Sequence, residues 1–175
     1  FEVYGPEPVT GAQKLSSKQT VVIVGAGIAG VSAAESMRRA APEAEIVLLS
    51  KEADLPYYRL NLTRYLADEV TPPQLPLHDQ AWYQEQAVTF RPATDVCAVD
   101  PSAKRLQLRN ADDIAFDSLI LAMGSHPFVP PIPGVDKENV TVLRTQRDAD
   151  FIRQQIQAGA QCVIIGGGIL GLETA

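Results

Sequence analysis

The first regular stretch of the chain is a run of four apolar residues, Val21-Val22-Ile23-Val24, after a polar, proline- and glycine-bearing lead of residues 1–18. A continuous β-branched run predicts a parallel strand buried on both faces. The pattern then changes period. Ala29, Ala33, Ala34 and Met37 fall on one side of a helix over residues 28–40, which Pro42 stops. Residues 45–49 return to strand, so 20–50 read as one right-handed βαβ unit. Residues 57–67 read as a helix with Leu60, Arg64 and Ala67 on related faces. Three prolines make 71–76 a loop, and 79–87 reads as a short helix around Trp82, the only tryptophan.

Shorter segments follow. Residues 88–91, 94–99 and 105–108 have strand character, and Asp100-Pro101-Ser102 is a turn signal between the last two. Three short strands at this spacing predict an antiparallel meander. Residues 116–122 form another buried strand leading to Gly124. Pro127, Pro130, Pro131, Pro133 and Gly134 make 127–134 a rigid extended crossover or domain boundary. Ala149, Ile152 and Ile156 lie on one face of a helix over 145–157, and 162–165 is a second buried strand. The expected fold is α/β, a Rossmann-like three-layer arrangement with a parallel sheet and an antiparallel three-stranded meander. Residues 1–18 read as an arm or linker.

Composition narrows the function classes. The chain has 175 residues, 46% hydrophobic and 21% charged, which is ordinary globular usage. A net charge of −6 and a pI near 4.9 argue against a nucleic-acid surface. No apolar run reaches the roughly 20 residues that span a bilayer, so no membrane partner is expected. Cys97 and Cys162 are far apart without C-x-x-C spacing and read as buried small hydrophobes. A cytoplasmic location follows, with no signal peptide visible. The chain starts at Phe1 without a Met, so its natural start is expected upstream. His78 and His126 are isolated from other ligand types and read as structural or surface residues, with no metal site.

The chemistry lies in the glycines. Gly25-x-Gly27-x-x-Gly30 and Gly166-x-Gly168-x-x-Gly171 each follow a β-branched run and open a helix. That is the dinucleotide fingerprint in its required context. The first glycine allows a tight turn, the second lets the backbone approach a pyrophosphate, and the third lets helix and strand pack closely. Ile28 and Ala29 belong to the same expected phosphate-facing loop, where the helix offers free N–H groups and a positive dipole end. Two copies suggest two dinucleotides in one flow of electrons.

In this order the motifs resemble an FAD-dependent pyridine-nucleotide reductase of the two-dinucleotide-domain flavoprotein superfamily. The resemblance covers residues 20–175. It is strongest to rubredoxin reductases, ferredoxin reductases of dioxygenase systems, the apoptosis-inducing-factor group and the flavin module of NADH-dependent nitrite reductase. Their P-Y-x-R-P-P-L-S-K stretch is matched by Pro56-Tyr57-Tyr58-Arg59-Leu60-Asn61-Leu62-Thr63-Arg64. The resemblance gives Arg59 the FAD pyrophosphate, a task suited to a guanidinium fork. It places the ribose-binding acid on Lys51; either the adjacent Glu52 takes the ribose hydroxyls or that contact is lost. It puts Val96 beside the adenine. Ala122-Met123-Gly124-Ser125 resembles the family's A-T-G-S turn over the FAD chain, so Ala122 and Gly124 are further expected contacts.

Residues 51–66 contain no Cys, unlike the disulfide branch of the superfamily. The resemblance therefore implies electrons passing from NAD(P)H through FAD directly to a one-electron iron protein such as rubredoxin. It also implies a partly buried ion pair of Arg64 with Glu173 beside the flavin, as the catalytic pair. The alternatives are the flavin module of an NADH-dependent nitrite reductase and a FAD-binding regulatory protein of the apoptosis-inducing-factor type. Residues 19–134 would be FAD-binding, and 135–175 the start of a truncated NAD(P)H-binding domain. The superfamily's late Gly-Asp motif is absent, so the chain alone is expected to hold FAD weakly and to be inactive. Phe1-Glu2-Val3-Tyr4 resembles the end of a rubredoxin and suggests one fused upstream.

Overall fold

A computed structural model describes residues 19–109, 111–156 and 159–175. The arm 1–18, with its rubredoxin-like start, lies outside them. Four strands form one parallel sheet in the order β3-β2-β1-β7: β1 (Thr20–Val24), β2 (Glu45–Leu49), β3 (Val88–Arg91) and β7 (Ser118–Leu121). Helix α1 (Ile28–Ala40) joins β1 to β2. Val21, Val22 and Ile23 are fully buried, as a strand covered on both faces must be. Val21 and Ile23 pack with Val31, Ala34, Ile46, Leu48 and Tyr83 on the side of α1 and α3 (Gln80–Glu85). Val22 and Val24 pack with Val47, Leu49 and Leu106 on the opposite side. That second side is covered by a three-stranded antiparallel sheet of β4 (Val96–Asp100), β5 (Arg105–Leu108) and β6 (Ile114–Ala115). The three expected layers are present.

The meander differs from expectation in membership. Residues 88–91 pair parallel with β2, Ile46 opposite Val88, and belong to the main sheet. The third meander strand is β6, whose two residues are too few to show a period. β7 is only half buried, and Leu121 is exposed. Residues 162–165 do not form a strand, and Val163 is 88% exposed. Their apolar side chains fit a sheet interior, but no described strand lies beside them to bond their backbone. Cys97 and Cys162 are exposed rather than buried; Cys97 sits where the β4–β5 register shifts.

Only Asn61–Leu66 (α2) of the expected helix 57–67 is helical. Tyr57 bridges to Pro76, Leu77 N–H donates to the Pro56 carbonyl at 2.8 Å, and Tyr58 N–H donates to the Leu75 carbonyl at 3.3 Å. These cross-chain bonds hold the segment extended. The 71–76 loop contains one 3₁₀ turn, Pro72–Gln74, capped by Thr71 and Gln74. Asp79 caps α3 through Trp82 N–H, and His78 stacks on the Trp82 ring while bonding Glu35 at 2.8 Å. Thr145 and Asp148 form a capping box at the start of α4 (Gln146–Gln155). Ala149 of α4 is fully buried among Tyr57, Leu62, Tyr65, Val70 and Leu75, so α4 is seated on α2. Residue 157 lies outside the described residues. Helix α5 (Ile169–Thr174) follows the second fingerprint. Among the described residues no helix is long and apolar enough to cross a membrane.

Arg38 joins three parts of the α1 face. Its guanidinium donates to the carbonyls of Pro42 (2.5 Å), Gln86 (2.8 Å), Ala87 (2.8 Å) and Ala44 (3.0 Å). Arg38→Met keeps most of the stem but removes all four donors. It is expected to lower the unfolding free energy by about 2–4 kcal/mol, since bonds from a charged donor each contribute about 1.5–3 kcal/mol and water recovers part of the loss. Denaturant titration measures the change; a loss below about 1 kcal/mol would show the clamp to be decorative.

Candidate dinucleotide-binding site

β1 is the point where the chain switches from one side of the sheet to the other, with β2 and β7 as its neighbours. In open α/β sheets ligands bind outside the carboxyl ends of the strands at such a point. Here that edge carries three loops: Gly25–Gly30 after β1, Ser50–Glu52 after β2, and Ala122–Gly124 after β7.

The first loop is held by its own backbone. Gly25 has φ +105°, and its N–H donates to the Leu49 carbonyl at 2.9 Å. A Cβ at Gly25 would overlap the Ala122 carbonyl. Ala122 in turn donates its N–H to the Val24 carbonyl at 2.8 Å, which fixes the third loop against the first. A Cβ at Gly30 would overlap the carbonyl of Gly25. Packing within the chain thus accounts for two of the three glycines. Gly27 is different: its backbone is extended (φ −78°, ψ −173°), and a Cβ there meets nothing within 4 Å. The space beside it lies at the N-terminus of the 13-residue α1. Gly27 provides no side-chain cap and the first turn has no acid. Val31 N–H is bonded to the Gly27 carbonyl (3.0 Å), so the N–H groups of Ile28, Ala29 and Gly30 precede the helical ladder. Such an arrangement of backbone donors suits an anion.

Polar side chains stand along the same edge. Glu52 and Arg59 form a half-buried ion pair, Glu52 Oε1 with Arg59 Nη2. The Tyr57 hydroxyl donates to Glu52 Oε2 at 2.6 Å and accepts from Arg59 Nη1 at 3.1 Å. Arg59 Nη1 also donates to the Arg144 carbonyl at 2.7 Å. Burial, then the bond to Glu52, push the Tyr57 hydroxyl well above the usual phenol range. Lys51 turns away to Asp95, 3.7 Å distant. The Asp95 carboxyl is held below the usual carboxylate range mainly by Arg109. Val96 is half buried against Val22, Val24, Val47, Leu49 and Leu106, and the Ser50 and Glu52 carbonyls accept from Thr94 and Ala93 N–H groups. Gly124 has φ +68°, with Arg144 Nη2 3.1 Å from where its Cβ would be.

The structure therefore brings Gly25, Gly27, Ile28, Ala29, Gly30, Glu52, Arg59, Val96, Ala122 and Gly124 to one edge. It joins Glu52 and Arg59 to each other, which spacing alone did not show. Tyr57, quoted in the Pro-Tyr-x-Arg stretch but given no role, is the node between them. The second fingerprint repeats the first: Gly166 has φ +128°, Gly168 is extended (φ −76°, ψ 175°), and a Cβ at Gly171 would overlap the Gly166 carbonyl. Arg64 and Glu173 do not form the expected pair among the described residues. Arg64 Nε instead bonds Glu69 Oε2 at 3.1 Å, five residues away in an exposed turn, and Glu173 is exposed. The described residues hold no group of three His, Cys, Asp or Glu arranged for a metal ion.

Known proteins share this arrangement. The sequence profile described as "Pyridine nucleotide-disulphide oxidoreductase" matches residues 19–175. Nitrite reductase (NAD(P)H) of Bacillus subtilis (strain 168) is 37% identical over 160 residues, 90% of this chain and 20% of that protein. Rubredoxin-NAD(+) reductase of Pseudomonas putida is 33% identical over 156 residues, 89% of this chain and 40% of that protein. The crystal structure of NADH:rubredoxin oxidoreductase from Clostridium acetobutylicum superposes with a TM-score of 0.81 at 29% identity, over 90% of this chain and 41% of that one. The chain thus spans between one fifth and about two fifths of these relatives' lengths. With the paired fingerprints and the crevice at β1, these matches show that the chain belongs to the pyridine nucleotide-disulphide oxidoreductase family, whose members use FAD and NAD(P)H.

Proposed function

We propose that the protein carrying this chain is an FAD-dependent oxidoreductase that takes electrons from NAD(P)H and passes them to an iron electron-transfer protein such as rubredoxin, in the cytoplasm. The observation that carries this reading is Gly27, the N-cap of α1, where an added Cβ would meet nothing within 4 Å among the described residues. The residues present fit an adenine dinucleotide. The α1 N-terminus and the backbone of Gly25–Gly30 would hold the pyrophosphate. Glu52 would accept from ribose hydroxyls and Arg59 would lie against a phosphate. Val96 would flank the adenine, and the Ala122–Gly124 loop would close the chain side of the crevice.

FAD supplies two-electron acceptance from a nicotinamide and one-electron release to an iron centre. The chain's residues bind and orient it. Residues 51–66 contain no cysteine, which supports direct transfer to the acceptor rather than a thiol relay. Residues 19–134 would form the FAD-binding part, and the fingerprint at Gly166, Gly168 and Gly171 would open the NAD(P)H-binding part. Arg64 and Glu173 remain a proposed catalytic pair only if α5 shifts to bring them together.

The 37% identity to a nitrite reductase favours a second reading, a flavin module that feeds electrons to a nitrite-reducing centre. One experiment tests both. The purified protein carrying this chain is expected to show a flavin absorbance band that NADH or NADPH bleaches under nitrogen. Added oxidised rubredoxin restores the band under the first reading, and nitrite restores it under the second. A colourless protein, or a band that neither nucleotide bleaches, would refute the oxidoreductase reading.

A further inference from the structure

We propose that Tyr57 is the positioning residue of the dinucleotide site: its hydroxyl orients Glu52 and Arg59 and ties both to the first turn of α4. The proposal rests on the flavin reading above. A tyrosine hydroxyl has one proton to give and two lone pairs to receive. Arg59 Nη1 and the Gln146 backbone N–H (2.9 Å) can only donate, so they take the two lone pairs. The single proton is then directed to Glu52 Oε2 at 2.6 Å. The bonding capacity of the hydroxyl is full and its direction determined. Burial holds the group protonated, so the donor persists across the working pH range.

The node is buried where its partners are partly exposed. Tyr57 is 5% exposed, its ring packed with Leu62, Tyr65, Val70, Leu75 and Ala149. Its backbone is pinned by the bridge to Pro76. Glu52 and Arg59 are long side chains that remain about a quarter exposed, at 23% and 29%. The exposed edges are what a ribose or a phosphate would meet. Holding two rotamer-rich side chains before the ligand arrives removes an ordering cost that binding would otherwise carry. The Gln146 N–H is one of the α4 N-terminal donors without an intrahelical partner, so the same hydroxyl also satisfies one donor of that helix end.

The test is a double-mutant cycle on FAD affinity, measured by flavin fluorescence with apoprotein of the protein carrying this chain. Tyr57→Phe keeps the ring and is expected to weaken FAD binding about tenfold. Introduced into a background carrying both Arg59→Met and Glu52→Ala, it is expected to cost less than twofold, because both groups it positions are gone. Equal costs in both backgrounds would reduce Tyr57 to a packing residue and overturn the proposal, as would unchanged affinity in the single variant. Gln146→Pro provides a second variant if Tyr57→Phe fails to fold. Proline is tolerated at the first helical position, and Thr145 before it is already extended (φ −119°, ψ 164°). It deletes the N–H that Tyr57 accepts and is expected to weaken FAD about threefold; no change would overturn the tie to α4. Wild-type protein and Gly27→Val are run beside them. If wild type takes no FAD, the flavin reading itself fails. If wild type binds, Gly27→Val does not, and Tyr57→Phe binds normally, only the positioning role fails.

Discussion

Gly27→Val is expected to yield a folded, colourless protein. The backbone at Gly27 is extended, a conformation open to valine, and a Cβ there touches nothing within 4 Å. Thermal stability should therefore stay within about 0.5 kcal/mol of the parent, as for substitutions that disturb no packing. The isopropyl group would occupy the space before the Ile28 and Ala29 N–H groups. Two charge-assisted bonds from those donors to a pyrophosphate contribute roughly 1.5–3 kcal/mol each. Losing both weakens FAD by about 100-fold or more, since each 1.4 kcal/mol is a factor of ten. Flavin absorbance after desalting, compared with a thermal melt of the same sample, separates the two effects. Full yellow colour would exclude this loop as the flavin cradle.

Gly30→Ala is expected to do the opposite, damaging the fold before any ligand is considered. Its Cβ would overlap the Gly25 carbonyl oxygen and come within 3.0 Å of the Gly25 carbonyl carbon, with Leu48 Cδ1 3.5 Å away. The obstacle is backbone, so no side chain can rotate out of the way. α1 must lift from β1 or the Gly25 turn must open. Gly25 cannot retreat, because its own Cα face is against the Ala122 carbonyl. Overpacking of this kind costs about 3 kcal/mol or more, a large share of the 5–15 kcal/mol that holds an ordinary domain together. Denaturant unfolding of Gly30→Ala beside Gly27→Val is the measurement. Equal stabilities would mean that the close approach at Gly30 is not what holds the loop.

The parts of the fold readable from the sequence are those whose signal is local. The run Val21–Val24 and the helix after it gave β1, α1 and β2 at nearly their observed bounds, because double-sided burial leaves a continuous apolar mark. Residues 88–91 were assigned to the wrong sheet. A four-residue edge strand looks alike in either sheet, and its partner β2 lies some forty residues earlier. β6 has two residues and no period to detect. The stretch 162–165 has strand composition but no described neighbour, and a strand exists only through lateral bonds. At the site, the glycines were readable since each spacing demands a turn. The Glu52–Arg59 pairing was not, because it lies in an extended segment held by the Tyr57–Pro76 bridge, a contact across 19 positions. The expected Arg64–Glu173 pair is not formed among the described residues, where Arg64 bonds Glu69 instead.

The second fingerprint reproduces the turn of the first with no strand of the described residues beneath it. Gly168 has the backbone angles of Gly27, Gly171 abuts Gly166 as Gly30 abuts Gly25, and Leu172 N–H reaches the Gly168 carbonyl at the same 3.0 Å that separates Val31 from Gly27. The backbone geometry of the proposed pyrophosphate cradle is thus contained in about seven consecutive residues. Such a unit is portable. Copied or transplanted as a short cassette, it would bring its geometry with it, and a host scaffold would need to provide only a strand end and room for one helical turn.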